Sequence, residues 1–269
     1  MVAKVYFPNF HSMNIAEIKN RLAKRATDLS AAGFKPTYSD KECWIGRVAF
    51  YKEDESIPMD ADGTPMLPLL QLSLEGLPYI PDGLENTKMI TVFISEDLPT
   101  GRAPSANGPQ HLPAAPSANG PEHLPAGLSA NGHGWVLREY RKDDQLVNKR
   151  LENIDSYIRP FPLKTTFIPE DYPVWDSGGI PSDIEDEILR LEKAGEITDY
   201  YDIIENNYGH KLGGYPTFCQ SGIDFGEDFE FLLQIASDGK ANLNIVDAGT
   251  IFLAKNKKTG DWRLYIDFL

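Results

Sequence analysis

The chain has 269 residues, with 26 Lys and Arg against 40 Asp and Glu, giving a formal net charge of −14. That balance excludes nucleic acid and anionic membranes as general partners, because both are held through Lys and Arg. It leaves a basic protein as the partner an acidic surface would attract. No apolar run approaches the roughly 18 residues of a spanning helix. The opening Met1-Val2-Ala3-Lys4-Val5-Tyr6-Phe7-Pro8 lacks the apolar stretch of a secretory leader, so a cytosolic protein is expected. Cys43 and Cys219 fit neither a zinc spacing nor a disulfide framework and read as two small apolar side chains.

Asn14 followed by Glu17 is a capping-box start, and Ile18, Leu22 and Leu29 recur at helical spacing with Ala26 between them. A helix over 14–32 is predicted, with Lys19, Arg21, Lys24 and Arg25 on its solvated face and Gly33 as its stop. Strands follow over 48–51, 67–74 and 89–94; Pro68 puts the second at a sheet edge or at a strand start. Asp60-Ala61-Asp62-Gly63 lacks the glycine and glutamate spacing of a calcium loop and reads as a turn.

Residues 103–114 are repeated almost unchanged at 115–126 and in part at 128–132. The Pro and Gly density opposes helix and ladder alike, so 103–132 reads as an exposed insertion. His111, His123 and His133 fall within or beside it. Two of them are copies made with the repeat, and no metal site is expected there.

A strand resumes over 135–140, with Trp135, Leu137 and Glu139 on one face and Val136, Arg138 and Tyr140 on the other. A short strand is predicted over 164–168. Ser182 as N-cap with Glu185 at N3 opens a second helix that buries Ile184, Ile188 and Leu191 and stops at Gly195. A further helix is predicted over 200–206, and strands return from Lys211 onward.

Two stretches repeat one pattern. Trp44-Ile45-Gly46-Arg47, Pro68-Leu69-Leu70-Gln71-Leu72 and residues 89–94 are matched by Lys211-Leu212-Gly213-Gly214-Tyr215-Pro216, Phe231-Leu232-Leu233-Gln234-Ile235 and residues 248–253. Each runs glycine turn, apolar strand closing on glutamine, loop, apolar strand. We therefore expect one domain over 1–269 built of two related halves, about 34–140 and 163–269. The expected fold class is α+β: a largely antiparallel sheet with internal duplication and a few peripheral helices.

These blocks resemble the YwqG-like family of uncharacterised bacterial proteins. The likeness is carried by Leu212-Gly213-Gly214-Tyr215-Pro216, by Leu232-Leu233-Gln234-Ile235-Ala236-Ser237-Asp238, and by Asp247 and Gly249, where the family has a Trp-Gly-Asp-x-Gly turn and this chain has Ile245-Val246-Asp247-Ala248-Gly249. Weaker similarity covers 45–98 and 135–140. The resemblance implies an internally repeated antiparallel β architecture and no established reaction. Some relatives look like companions of secreted toxins, which implies an immunity or antitoxin role by analogy.

No nucleophile elbow, metalloprotease helix, phosphate loop or dinucleotide fingerprint is present. The expectation is a non-enzymatic protein-binding module without cofactor or metal. Its partner surface would be the acidic set Asp224, Glu227, Asp228 and Glu230. The other reading is an enzyme or small-ligand protein with a pocket between the halves, where Gln71, His210, Gln234 and Asp247 would converge; a Cys219-His210-Asp247 arrangement belongs to that reading.

Overall fold

The computed structural model describes residues 13–31, 33–98, 129–132, 134–149, 155–220 and 224–268. The first helix, α1 (Ile15–Leu22), starts as its residues predict. The Asn14 side chain accepts from the Glu17 N–H at 3.0 Å, and Glu17 accepts from the Asn14 N–H at 2.9 Å. It stops earlier than predicted. Residues placed in its second half form β1 (Lys24–Ala31), which lies between two other strands in the middle of the main sheet. Thr27, Leu29 and Ala31 are buried, while Asp28 and Ser30 are not, a period of two that the Leu22–Leu29 spacing disguised. Hydrogen bonds offered from both sides outweigh a modest helical preference. The Tyr215 hydroxyl donates to the Leu22 carbonyl at 2.8 Å and so occupies one acceptor the ended helix leaves open.

The remaining strands are β2 (Cys43–Ile45), β3 (Phe50–Tyr51), β4 (Leu67–Ser73), β5 (Thr87–Ile94), β6 (Ser129–Gly132), β7 (Trp135–Arg141), β8 (Val147–Asn148), β9 (Phe161–Asp171), β10 (Lys211–Gly213), β11 (Phe229–Ala236), β12 (Thr250–Asn256) and β13 (Trp262–Asp267). Eleven of them make one sheet in the order β13-β12-β11-β10-β1-β9-β2-β4-β5-β7-β6, with every pairing antiparallel. The sheet curls until β13 comes alongside β6 and is nearly closed, like a barrel. β3 and β8 form a separate two-stranded ribbon.

The α+β expectation is thereby corrected: the fold is mainly β, with two α-helices among the described residues. α2 (Ser182–Ala194) buries Ile184, Ile188 and Leu191 and ends at Gly195 in the left-handed region, as predicted, but Pro181 rather than Ser182 is its N-cap. The helix predicted over 200–206 is a three-residue 3-10 turn, Tyr200–Asp202. The strand predicted over 164–168 is the long β9. Its pairing with β1 slips where Pro169, lacking an N–H, falls between the partners Ile168 and Asp171. Ser129–Gly132, read as the tail of the insertion, pairs with β7; residues 103–128 and His133 lie outside the described residues.

One pairing scheme occurs twice. Trp44 pairs with Gln71 and Ile45 with Leu70; Lys211 pairs with Gln234 and Leu212 with Leu233. The ladder slips between Pro68 and Leu70 and again between Phe231 and Leu233, at the same distance before each glutamine. Gly46 and Gly213, the next residues in each series, both have positive φ, +70° and +81°. The halves interlock where β9 pairs with β2, and β1, which precedes both halves, lies between β9 and β10. The main core lies inside the curled sheet and takes Leu70, Val92, Leu137, Leu233, Leu253 and Trp262 from both halves. A second core packs α1 and α2 against Tyr172 and Tyr200.

Candidate functional site: a cleft between the two halves

Where β1 begins, a cleft of about 280 Å³ opens beside β10. Lys24 and Arg25 come from β1, Tyr79, Pro81 and Asp82 from the β4–β5 connection, Gly213 from the end of β10 and Gly214 from the turn after it, and Glu230 and Phe231 from β11. The connection is held to β1 by a reciprocal pair of bonds. The Thr27 hydroxyl donates to the Tyr79 carbonyl at 2.7 Å and accepts from the Tyr79 N–H at 3.1 Å. The floor must be glycine. A Cβ on Gly213 would lie 2.8 Å from the Tyr79 ring, and one on Gly214, whose φ is +72°, would overlap the Asp171 carboxylate.

Both cations rest against aromatic rings: Lys24 Nζ lies 4.0 Å from the centroid of Tyr215, and the Arg25 guanidinium 4.9 Å from that of Tyr79. Among the described residues neither makes an ion pair, whereas Glu230 on the opposite wall is paired with Lys257 at 2.8 Å. Beneath the floor Lys211 Nζ donates to both oxygens of Asp171, at 3.1 and 2.9 Å, and the Tyr215 N–H donates to Asp171 at 2.7 Å. Both charged side chains are sealed from solvent, 0% and 1% exposed. Burial pulls the Lys211 pKa below its ordinary value, and the Asp171 carboxylate acts against that pull.

The matching place in the first half is filled. There Trp44 stands where Lys211 stands, and Arg47 where Gly214 stands, as the two registers show. Tyr38 stacks on Trp44 at 5.4 Å, and the Arg47 guanidinium covers both rings at 4.9 and 5.1 Å. The cleft is thus open where the second half replaces an arginine by glycine.

The residues expected to line a pocket are placed elsewhere. Gln71 is buried on β4; its Oε1 accepts from the N–H groups of Ala49 (2.9 Å) and Phe50 (3.3 Å), and its Nε2 donates to the Glu42 carbonyl at 3.2 Å. Gln234 on β11 accepts from the Thr217 N–H (3.1 Å) and hydroxyl (3.0 Å) and donates to the Gly209 carbonyl at 2.9 Å. Each amide therefore ties its own glutamine strand to both ends of its own glycine turn. Alanine at either position leaves buried backbone groups without partners and should cost about 1–3 kcal/mol. Because the two sets share no partner, the losses in a Gln71→Ala, Gln234→Ala double variant should add within roughly 0.5 kcal/mol in chemical denaturation.

His210 does meet Gln234's half, through β11. Its Nδ1 accepts from the Ala236 N–H at 3.0 Å, which leaves Nε2 to donate to Asp238 at 3.3 Å. That bond, with N–H groups of Lys240 (2.7 Å) and Ala241 (3.2 Å), holds the Asp238 carboxyl down to about 2. A folded value below the unfolded one of about 3.9 means that the bonds stabilise fully above pH ~4 and lose that effect as pH falls towards 2. Asp238→Asn should flatten this stretch of a stability-versus-pH curve.

Asp247 is exposed in the 245–249 turn, away from these groups. Cys219 turns to Asp267, donating its N–H at 2.6 Å and its thiol at 3.2 Å to one carboxylate oxygen. Desolvation and that carboxylate push the thiol up to about 11, and deeper burial pushes Cys43 up to about 12. Neither is poised as a thiolate.

Within the acidic set, Asp228 pairs with Lys258 at 2.7 Å and Glu230 with Lys257 at 2.8 Å, while Asp224 accepts from the Gly226 N–H at 2.9 Å and Glu227 is exposed. Asp60 braces its own turn through the N–H groups of Asp62 and Thr64.

Sequence reasoning puts Lys24 and Arg25 on a solvated helix face and misses Tyr79, Asp171 and Lys211. One signal was within reach: setting the two repeats side by side puts a lysine opposite Trp44 in an otherwise apolar strand.

Fold and cleft together define a mainly-β protein, a nearly closed antiparallel sheet with a cleft beside β1 and β10. The chain belongs to the family described as Domain of unknown function (DUF1963), whose model matches residues 45–258. The matched span holds the cleft floor and outer wall, while Lys24 and Arg25 precede it. No curated protein matches the chain. No helix among the described residues is long and apolar enough to cross a membrane.

Proposed function

We propose that this chain is a non-enzymatic binding protein, that the YwqG-like resemblance and the DUF1963 match describe one family, and that the ligand enters the cleft beside β1. The observation that carries this reading is the pair Lys24 and Arg25, set in a 280 Å³ cleft without ionic partners among the described residues. The buried polar side chains nearby brace turns instead. A melting-temperature screen of charged and neutral small molecules tests it. A true ligand should raise the melting temperature of the wild type and leave a Lys24→Ala, Arg25→Ala variant unmoved. A panel that shifts both proteins equally, or neither, defeats the reading.

A second reading, an immunity protein that neutralises a basic toxin in the cytosol, is favoured by the net charge of −14. Long-range attraction would speed encounter with a cationic partner, and the rate would fall steeply with salt. Its test is mixing with the product of a toxin-like neighbouring gene. Tight, salt-sensitive association and rescue of growth support it; no complex at micromolar concentration removes it.

A further inference from the structure

The geometry points to a small organic anion, a carboxylate or a phosphate ester, as the ligand of the cleft, with its anionic group held by Lys24 and Arg25. The inference rests on the cleft being a binding site at all. Four charged residues line it: Lys24, Arg25, Asp82 and Glu230. Glu230 is already matched by Lys257 at 2.8 Å. The local balance that remains is two cations against Asp82, one positive charge in a chain whose total is −14.

That local excess is unusual against the protein's own field, which repels anions at a distance. Several other cations are answered by carboxylates: Lys41 with Glu75 at 2.7 Å, Lys52 with Asp144 at 2.7 Å, Lys255 with Glu139 at 2.8 Å, Lys258 with Asp228 at 2.7 Å. At the cleft the cations are held by rings instead. Tyr215 and Tyr79 position Lys24 and Arg25 by their faces, which fixes the side chains without consuming their N–H donors. The donors are therefore free to take oxygens, and Arg25 can present two of them side by side to a carboxylate or phosphate.

The first half supplies the comparison. Arg47 uses the same arrangement, a guanidinium over Trp44 and Tyr38, but lies at the position of Gly214 and occupies the space itself. In the second half that space is empty of side chain, and no residue but glycine fits above the Asp171 carboxylate.

The test is titration calorimetry of the whole chain with three ring probes of similar size: benzoate, phenyl phosphate and benzylamine. Benzoate or phenyl phosphate should bind and benzylamine should not; which of the two anions binds more tightly names the source of the charge. Lys24→Met and Arg25→Met should each weaken the anion about tenfold, the size of one charge-assisted hydrogen bond. Arg25→Lys should lose less than Arg25→Met. Both residues are solvent-exposed, so unchanged melting temperatures certify the variants. Benzylamine binding as tightly as benzoate overturns the anion assignment while leaving the cleft a binding site. If none of the three probes binds and the melting-temperature screen also finds no ligand, the cleft reading falls with it.

Discussion

Lys211→Ala is expected to destabilise the fold by about 3–5 kcal/mol, the usual cost of removing one partner from a sealed ion pair. The Asp171 carboxylate, 1% exposed, would keep a single donor, the Tyr215 N–H at 2.7 Å, where it now has three bonds. Asp171 also lies directly under Gly214, and Tyr215 in turn donates to the end of α1, so the damage spreads to the cleft floor and to the helix. Urea unfolding monitored by tryptophan fluorescence measures the loss. A Lys211→Met, Asp171→Asn double variant should recover much of it: the charge is gone, and the asparagine oxygen still accepts from Tyr215. A single-variant loss under about 1 kcal/mol would mean that water reaches the pair, contrary to its burial.

Glu139→Ala is the second large effect, about 3 kcal/mol from three bonds to one partly buried carboxylate. Oε1 accepts from the Thr87 hydroxyl at 2.5 Å and from Lys255 Nζ at 2.8 Å, and Oε2 accepts from the Trp262 indole at 2.9 Å. Thr87 is on β5 and Glu139 on β7, Lys255 on β12 and Trp262 on β13, so one side chain ties together the two ends of the curled sheet. Lys255 adds a bond to the Gly83 carbonyl at 3.0 Å in the connection that walls the cleft. The specific signature is in hydrogen exchange: protection should fall first in β13 and in the 75–85 connection, before the β1–β9 centre. Glu139→Gln keeps an acceptor for the indole and should cost less than the alanine. Uniform loss of protection across all strands would show that Glu139 does not act at the closure.

The apolar strands are legible from local traces: an uninterrupted apolar, β-branched run predicts a strand at 89–94, where β5 is Thr87–Ile94, and two-residue alternation predicts one at 135–140, where β7 is Trp135–Arg141. Both helix starts were also near their predicted places, since capping needs residues only a few positions apart. The fold class was misread at residues 24–31. Their apolar spacing satisfies a helix and a strand alike over so short a stretch, and no residue near them says which.

The two glutamine strands are legible in the linear sequence because what holds each glutamine lies within about 30 positions of it: Gln71 bonds to Glu42, Ala49 and Phe50, and Gln234 to Gly209 and Thr217. Long-range pairing makes β1 a strand: its partners Phe161–Asp171 and Lys211–Gly213 come from far along the chain, and their unpaired backbone groups outweigh local propensity. The same pairing brings Lys24 and Arg25 to the double glycine and sets Asp171 against Lys211. Charge complementarity across such distances acts through space, and the linear order of residues carries no trace of it.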